Sequence, residues 1–330
     1  MRSWRSPNAS CRRPPASVLA LAFILALCQP VSDPLPRTAA LFVNAKSRKG
    51  HHLFKDACQL LKEAGIELTI AKAIRKPSTM PDCVKHAVAA GAPMVIVGGG
   101  DGSISCSVDH VVGSDTIFAI LPLGTANSFA RTLGIPLDLP GAVDVIANGR
   151  PKRIDLGMID DDYFANCATL GIAPQIAQTV PHGLKAWLGR PGYLLWAARQ
   201  LWKFKAFRLT VDTGSKTETM DAVEVRIANG PYHGGVELVD EAAVDSGRIV
   251  VQVVTGETRG HLIWSWLLSV LRHRERKKTT IEFEGRAIRL STETPMPISI
   301  DGEVLAETPV TARVARRAIR VAAPGPSRAG

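Results

Sequence analysis

Apolar positions along this chain change rhythm near residue 150. From residue 38 onward, short continuous apolar runs alternate with helically spaced segments. Ala39–Asn44, Ile66–Ala73, Met94–Val97 and Ile117–Leu121 read as strands. Residues 51–64, with Leu53, Phe54, Ala57, Leu60 and Leu61, read as a helix, as do 82–90, a segment after the glycines at 98–100, and 126–133. Apolar runs without polar alternation suit strands covered on both faces. Strands alternating with helices through short loops predict parallel βαβ units.

Past residue 150 strands dominate. Arg153–Asp160, Tyr163–Thr169, Arg208–Asp212, Ala222–Ala228, Arg248–Val254, Thr280–Glu284, Ala287–Ser291, Pro297–Ile300 and Val310–Val314 carry strand patterns. Helical segments interrupt at about 174–205 and 259–272. Many strands with few helices predict an antiparallel sandwich. The expected fold is an α/β N-terminal domain with a parallel sheet, followed by a C-terminal β-sandwich. The expected divisions are a leader at 1–37, a nucleotide-binding domain at 38–150 and a substrate domain at 151–330. A last strand near Ala318–Ala322 is read as returning to the first domain. The chain shows no internal repeat.

Composition agrees with a globular protein and narrows the class. Of 330 residues, 46% are hydrophobic and 21% charged, which excludes wholesale disorder. Twenty-eight glycines and 22 prolines exclude collagen-like and low-complexity readings. No apolar run reaches the roughly 18 residues of a membrane span, which excludes a multi-span protein. The formal charge is +10, of which residues 1–37 hold +4 through Arg2, Arg5, Arg12, Arg13 and Arg37 against Asp33. The remainder favours anionic partners such as nucleotides or anionic lipid surfaces, or it is simply a solvated surface. With so modest a charge and no recognised motif, nucleic-acid binding is not expected. The six cysteines, Cys11, Cys28, Cys58, Cys83, Cys106 and Cys167, lack paired spacing. Reduced thiols in a cytosolic protein fit this better than a zinc site or disulfide framework.

The leader has a basic stretch to Arg13, an 11-residue apolar core from Val18 to Cys28, and then Pro30, Pro34 and Pro36. That is the pattern of a secretory signal. Three readings stand: an export signal, a membrane-associating leader, or an extension upstream of the true start. Residues 322–330 read as a frayed tail.

Candidate chemistry concentrates at Val95-Ile-Val-Gly-Gly-Gly-Asp-Gly-Ser103, where a buried strand runs into a glycine-rich turn and a helix. Glycines permit close approach of backbone to ligand, and the N–H groups at a helix start favour an anion. Asp101 in such a loop repels phosphate unless it binds a metal ion or positions the loop. The spacing is neither G-x-G-x-x-G nor G-x-x-x-x-G-K-[ST], so the dinucleotide and P-loop fingerprints fail. Phe42-Val-Asn-Ala-Lys-Ser-Arg-Lys-Gly50 and Pro122-Leu-Gly-Thr-Ala-Asn-Ser-Phe-Ala-Arg131 follow two further strands. Three polar loops at carboxyl ends of parallel strands describe one ligand site.

The combination resembles the diacylglycerol kinase catalytic-domain family of lipid kinases, the soluble bacterial members especially. The resemblance runs from about Ala39 to Ala323. It rests on Asn44-Ala-Lys-Ser-Arg-Lys-Gly50, Gly99-Gly-Asp-Gly-Ser103, Pro122-Leu-Gly-Thr-Ala-Asn127, Asp155-Leu-Gly157, Ile227-Ala-Asn-Gly230 and Ile300-Asp-Gly-Glu303. It implies ATP-dependent phosphorylation of a lipid hydroxyl in a site between the two domains, with diacylglycerol the first acceptor. A sphingoid base or ceramide would need similar machinery.

By position it implies that Asn44, Lys46, Ser47, Gly100, Asp101, Gly102, Ser103 and Thr125 contact the nucleotide. Asp301 would be the general base, and Glu303 a nucleotide or metal contact. ATP and Mg2+ are the implied cofactors. Phosphoryl transfer asks the protein for charge neutralisation, alignment and a base in reach of the hydroxyl. Asp301-Gly302 is equally an ordinary hairpin turn pair.

Two positions depart from the family pattern. Ser105 and Cys106 stand where an Asn-Glu pair is common, and they are read as tuning the helix start. In Val244-Asp-Ser-Gly-Arg248, Ser246 takes the place of an aspartate that binds a structural magnesium ion in several bacterial members. Serine is a poor ligand for a hard dication, which leaves Asp245 as the candidate metal residue.

Trp187, Tyr193, Trp196, Trp202, Trp264 and Trp266 mark two aromatic-rich segments, one followed by Arg272-His-Arg-Glu-Arg-Lys-Lys278. They are read as core packing or as peripheral contact with an anionic bilayer. Because the implied reaction uses cytosolic ATP, the chain is expected in the cytoplasm with its leader an extension. A homodimer is left open. The competing readings are a NAD kinase or phosphofructokinase relative and a non-catalytic lipid- or nucleotide-binding protein of this fold.

Overall fold

The computed structural model describes residues 34–46, 48–171, 206–255 and 280–325. The leader, the helical segments at 174–205 and 259–272, the basic run at 272–278 and Ser47 lie outside the described residues.

The first lobe runs β1 (Thr38–Asn44), α1 (Arg48–Glu63), β2 (Glu67–Ile74), α2 (Met80–Ala89), β3 (Met94–Gly99), α3 (Asp101–Val108), β4 (Ile117–Pro122), α4 (Ser128–Thr132) and α5 (Leu139–Asn148). β2, β1, β3 and β4 pair in that order, all parallel. β3 and β4 are buried at every residue, as their uninterrupted apolar pattern requires. β2 is the edge, and most of its side chains face solvent.

The sequence reading passed over α5. Its start signal is present: Asp138 caps the helix, its Oδ1 accepting from the Gly141 N–H at 2.8 Å, with a proline in the first turn.

The second lobe comprises β5 (Arg150–Ile159), β6 (Asp162–Phe164), β7 (Cys167–Gly171), β8 (Phe207–Asp212), β9 (Thr217–Ala228), β10 (Tyr232–His233), β11 (Val236–Glu237), β12 (Ile249–Thr255), β13 (Thr280–Gly285), β14 (Ala287–Thr292), β15 (Pro297–Ile300), β16 (Glu303–Glu307) and β17 (Val310–Ala323). Its ladders are antiparallel. Alternation sets the core. Val225 and Ile227 of β9 join a cluster with Leu170, Val251, Val253, Ile298 and Ile300. The other face of β9 carries Glu224 and Arg226.

β17 joins the lobes. Its first half pairs with β14, and Arg320 and Val321 pair in parallel with Ile117 and Phe118 of β4. Val310 and Ala312 therefore belong to the sandwich core, and Ile319 and Val321 to the α/β core. The register shifts between Ala315 and Ile319, where Arg317 takes φ +51°. Asp155 secures that kink: its buried carboxylate accepts from the N–H of Arg317 and of Gly247, each at 2.7 Å.

One sequence reading needs correction here. Tyr163–Thr169 is two strands, broken at Ala165 and Asn166. The backbone turns out of the ladder there because its N–H groups are bound by a carboxylate from β15–β16, described next.

Candidate active site

The carboxyl ends of β1, β3 and β4 meet side by side. Asn44, the last residue of β1, donates its amide to Ser103 Oγ at 3.0 Å and accepts from the Lys46 N–H at 3.2 Å. Lys46 is exposed beside it. Gly50 packs on this turn so closely that a Cβ would lie 2.7 Å from the Asn44 carbonyl.

The glycine loop abuts the loop after β4 backbone to backbone. A Cβ on Gly124 would lie 2.4 Å from Gly100 Cα, so only glycine fits. Leu123 N–H donates to Gly99 O at 2.9 Å, which continues the strand pairing to the loop. Asn127, in the left-handed region at φ +50°, holds the second loop from within. Its Oδ1 accepts from the Gly124 N–H at 2.9 Å, and its Nδ2 donates to Gly124 O and Pro122 O. Thr125 stands exposed at the tip.

Asp101 resolves the problem its charge posed. Its Oδ1 accepts from the Phe129 N–H at 3.2 Å, tying the first turn of α3 to the first turn of α4. The carboxylate positions the loop. Gly100, Asp101, Gly102 and Ser103 thus sit where α3 begins, and the first N–H groups of a helix lack intrahelical partners.

Asp301 comes to this corner from the other lobe. Asp301 and Gly302 form the β15–β16 turn with φ +44° and +101°, the pair of positive angles a type I′ turn needs. The Asp301 carboxylate accepts four hydrogen bonds. Oδ2 takes Ser105 Oγ at 3.1 Å and Ala165 N at 2.9 Å. Oδ1 takes Asn166 N at 3.3 Å and Cys167 N at 3.1 Å. Burial pushes its pKa above the usual carboxylate value, against the lowering by the Ala165 and Cys167 N–H groups, Ser105 and His233.

Beside Asp301 a cleft of about 120 Å³ opens between the lobes. It is lined by Gly102, Ser105 and Asp109 of the first lobe and by Asp162, Asp301 and Glu303 of the second. Tyr163, Ile300 and Leu305 make its lining partly apolar, and Leu305 is 52% exposed. Burial, then Asp162 and Asp301, push the Asp109 carboxyl up to about 6.

Of the sequence-read residues, Asn44, Lys46, Gly100, Asp101, Gly102, Ser103 and Thr125 gather on these three loops, and Asp301 and Glu303 line the cleft. Asp245 does not. It lies exposed on the loop before β12, paired with Lys152 Nζ at 2.8 Å. The neighbouring Ser246 closes that turn with its own hydroxyl, which donates to Ala243 O at 2.9 Å and accepts from the Arg248 N–H at 3.2 Å. Among the described residues no three acidic, histidine or cysteine side chains converge on a point that could hold a metal ion.

Sequence reasoning assigned no chemistry to Ser105, which reaches the candidate base. It also missed His233, on a hairpin fixed to α4 by Gly235 N–H donating to Ser128 Oγ at 3.0 Å. Burial lowers the His233 pKa, and Asp301, Glu224, Arg226 and Asp101 all act on it. The signal for His233 was the Gly230-Pro-Tyr-His-Gly-Gly235 turn following the Ile227-Ala-Asn-Gly230 fingerprint.

Comparison with known proteins gives the family and the fold. The diacylglycerol kinase catalytic domain matches residues 38–159, and the YegS C-terminal NAD kinase beta sandwich-like domain matches residues 168–323. A probable lipid kinase YegS-like protein from Klebsiella pneumoniae (strain 342) is 31% identical over 269 residues, 80% of this chain and 89% of that protein. A diacylglycerol kinase from Staphylococcus aureus (strain Newman) is 30% identical over 285 residues, 83% of this chain and 89% of that protein. The crystal structure of a diacylglycerol kinase from Bacillus anthracis str. Sterne shares the fold, with TM-score 0.67 at 19% identity, over 89% of this chain and 98% of that one.

Proposed function

The chain belongs to the diacylglycerol kinase catalytic-domain family of lipid kinases, and we propose that it transfers the γ-phosphoryl group of ATP to a hydroxyl of diacylglycerol. One observation carries the site assignment. Asp301 arrives from the sandwich lobe to stand 3.1 Å from Ser105, two residues beyond the glycine loop. A base beside a phosphate cradle is what transfer to an alcohol requires.

In this reading Asn44, Lys46, Ser47, Gly100–Ser103 and Thr125 hold the nucleotide, with Glu303 at the edge of the cleft. The backbone of the glycine loop gives the phosphates close approach, and Lys46 supplies positive charge. Asp301 Oδ2 accepts the proton of the acceptor hydroxyl. The alcohol oxygen bonds to the γ-phosphorus as the bridging bond breaks, and ADP leaves with that electron pair.

Mg2+ bound with ATP would supply neutralisation of charge on the phosphates. Asp109, Asp162 and Glu303 are the carboxylates of the cleft that would hold such an ion, as hard oxygen donors. Asp245 stands apart from this cleft, paired with Lys152.

The Staphylococcus aureus relative's name supports diacylglycerol as acceptor. Peripheral contact with an anionic bilayer belongs to the same proposal, supported by the +10 charge and the basic run at 272–278. Among the described residues no helix is long and apolar enough to cross a membrane.

Radiolabelled ATP, magnesium and mixed micelles of diacylglycerol, a sphingoid base or a ceramide test this, with wild type and Asp301→Asn side by side. Label in diacylglycerol that disappears in the variant is expected. Label in another lipid reassigns the acceptor, and ATP binding with no transfer to any lipid removes the kinase reading.

A further inference from the structure

An ionised carboxylate offers about four lone-pair positions. At Asp301 all four are filled within the protein. Saturated in this way, the side chain cannot take a proton from anything else, so one donor must leave before Asp301 can act.

Three of the donors cannot leave. They are consecutive backbone N–H groups of Ala165, Asn166 and Cys167, all of them buried. Asn229 holds their turn from behind: its Nδ2 donates to Ala165 O at 3.0 Å, and its N–H donates to Asn166 O at 2.9 Å. The fourth donor is a hydroxyl on a rotatable side chain. Ser105 stands on α3, partly exposed, and lines the cleft.

We infer that the Ser105 hydroxyl occupies the place of the acceptor hydroxyl on Asp301 Oδ2, and that the incoming lipid alcohol displaces it. This rests on Asp301 being the base of the transfer proposed above. Ser105 is a positioning residue with two consequences. Between turnovers it keeps water off the base, which limits hydrolysis of ATP in the absence of lipid. During turnover it competes with the acceptor for one hydrogen-bond position. A hydroxyl suits both tasks because it matches the substrate group in size, donor character and ease of rotation.

The test uses the full chain as wild type, Ser105→Ala and Ser105→Thr. One arm measures ATP hydrolysis with magnesium and no lipid. The other measures label transfer against the concentration of a diacylglycerol in nonionic detergent micelles. A hydrogen bond to a charged group corresponds to roughly tenfold in an equilibrium. Ser105→Ala is expected to raise lipid-independent hydrolysis about fivefold to tenfold and to lower the acceptor KM by a similar factor.

Threonine keeps the hydroxyl but is restricted at χ1 in a helix, so Ser105→Thr is expected to raise the acceptor KM. A purely structural role for Ser105 would not raise hydrolysis. If Ser105→Ala melts below wild type, Ser105→Cys, a weaker donor of similar shape, carries the same two arms. Hydrolysis in the variant at or below the wild-type rate overturns the inference. The hydrolysis arm needs no lipid, so a wild type that labels no lipid removes the acceptor reading while this arm still decides for or against shielding.

Discussion

Asn229 donates its side-chain amide to the carbonyl of Ala165 at 3.0 Å, and the Ala165 N–H in turn donates to Asp301 Oδ2 at 2.9 Å. The same amide donates to Asp155 O at 3.0 Å. Asn229 therefore links Asp155, which secures the kink in β17, to the turn that orients the candidate base, and it is fully buried.

Asn229→Ala leaves two buried carbonyls without this partner. The expected loss of stability is about 1–3 kcal/mol, the cost of buried groups left unpaired. Freed of its support, the 165–167 turn no longer fixes Asp301. The rate of transfer should fall by more than the KM for ATP rises, because both carbonyls belong to the second lobe and the loops proposed for the nucleotide to the first. Denaturant melts and steady-state kinetics on the purified variant check both parts.

Gly124→Ala addresses the other half of the site. The new Cβ meets Gly100 Cα at 2.4 Å, a contact between two backbones that no rotamer relieves. The loops must separate, and the cradle proposed for the phosphates widens. A displacement on the order of 1 Å can cost about a hundredfold in an aligned reaction. ATP affinity measured by calorimetry is expected to fall at least about tenfold, with the sandwich still folded by circular dichroism.

Much of this site was legible in the chain, and the reason is local. The glycine loop, the turn after β1 and the turn after β4 each follow directly from a buried strand, so their place at the carboxyl end of the sheet comes from topology alone. What was illegible depends on contacts distant in sequence. Tyr163, Phe164, Ala165, Cys167 and Ala168 form an almost unbroken apolar run, and nothing within it announces a break. The break exists because Asp301, more than 130 residues later, binds three successive N–H groups. The contact of Ser105 with Asp301 was illegible for the same reason, since the partner lies 196 residues away. The β10–β11 hairpin is only two residues on each side, too short for a periodic signal.

Asp109 makes stability depend on pH. Its carboxyl is pushed from 3.8 up to about 6 in the folded protein by burial and by the nearby Asp162 and Asp301. The folded state then binds the proton more tightly than the unfolded state, so ionisation works against folding. Its stabilising contribution is complete below about pH 4, declines as pH rises, and is lost above about pH 6. Asp109→Asn removes the ionisation. The variant should melt higher than wild type at pH 7, and the gain should vanish when both are melted near pH 4. An equal gain at both values would assign it to packing.

Arg226 supplies the last prediction. Arg226 is 3% exposed, and its guanidinium binds Glu224 through two bonds, Nε to Oε1 at 3.0 Å and Nη2 to Oε2 at 3.2 Å. Nη1 donates to Gln252 Oε1 at 2.9 Å, and Gln252 Nε2 donates to Glu282 Oε1 at 2.7 Å. This row crosses β9, β12 and β13 on the face opposite the apolar core. Removing one member of a buried pair strands the other charge, which typically costs about 3–5 kcal/mol. Replacing both with apolar residues of similar size is often neutral. Arg226→Met should therefore lower stability by that amount, and the double variant Glu224→Leu with Arg226→Met should recover most of it. Comparable loss in the double variant would mean that Gln252 and Glu282, rather than the stranded Glu224, carry the penalty.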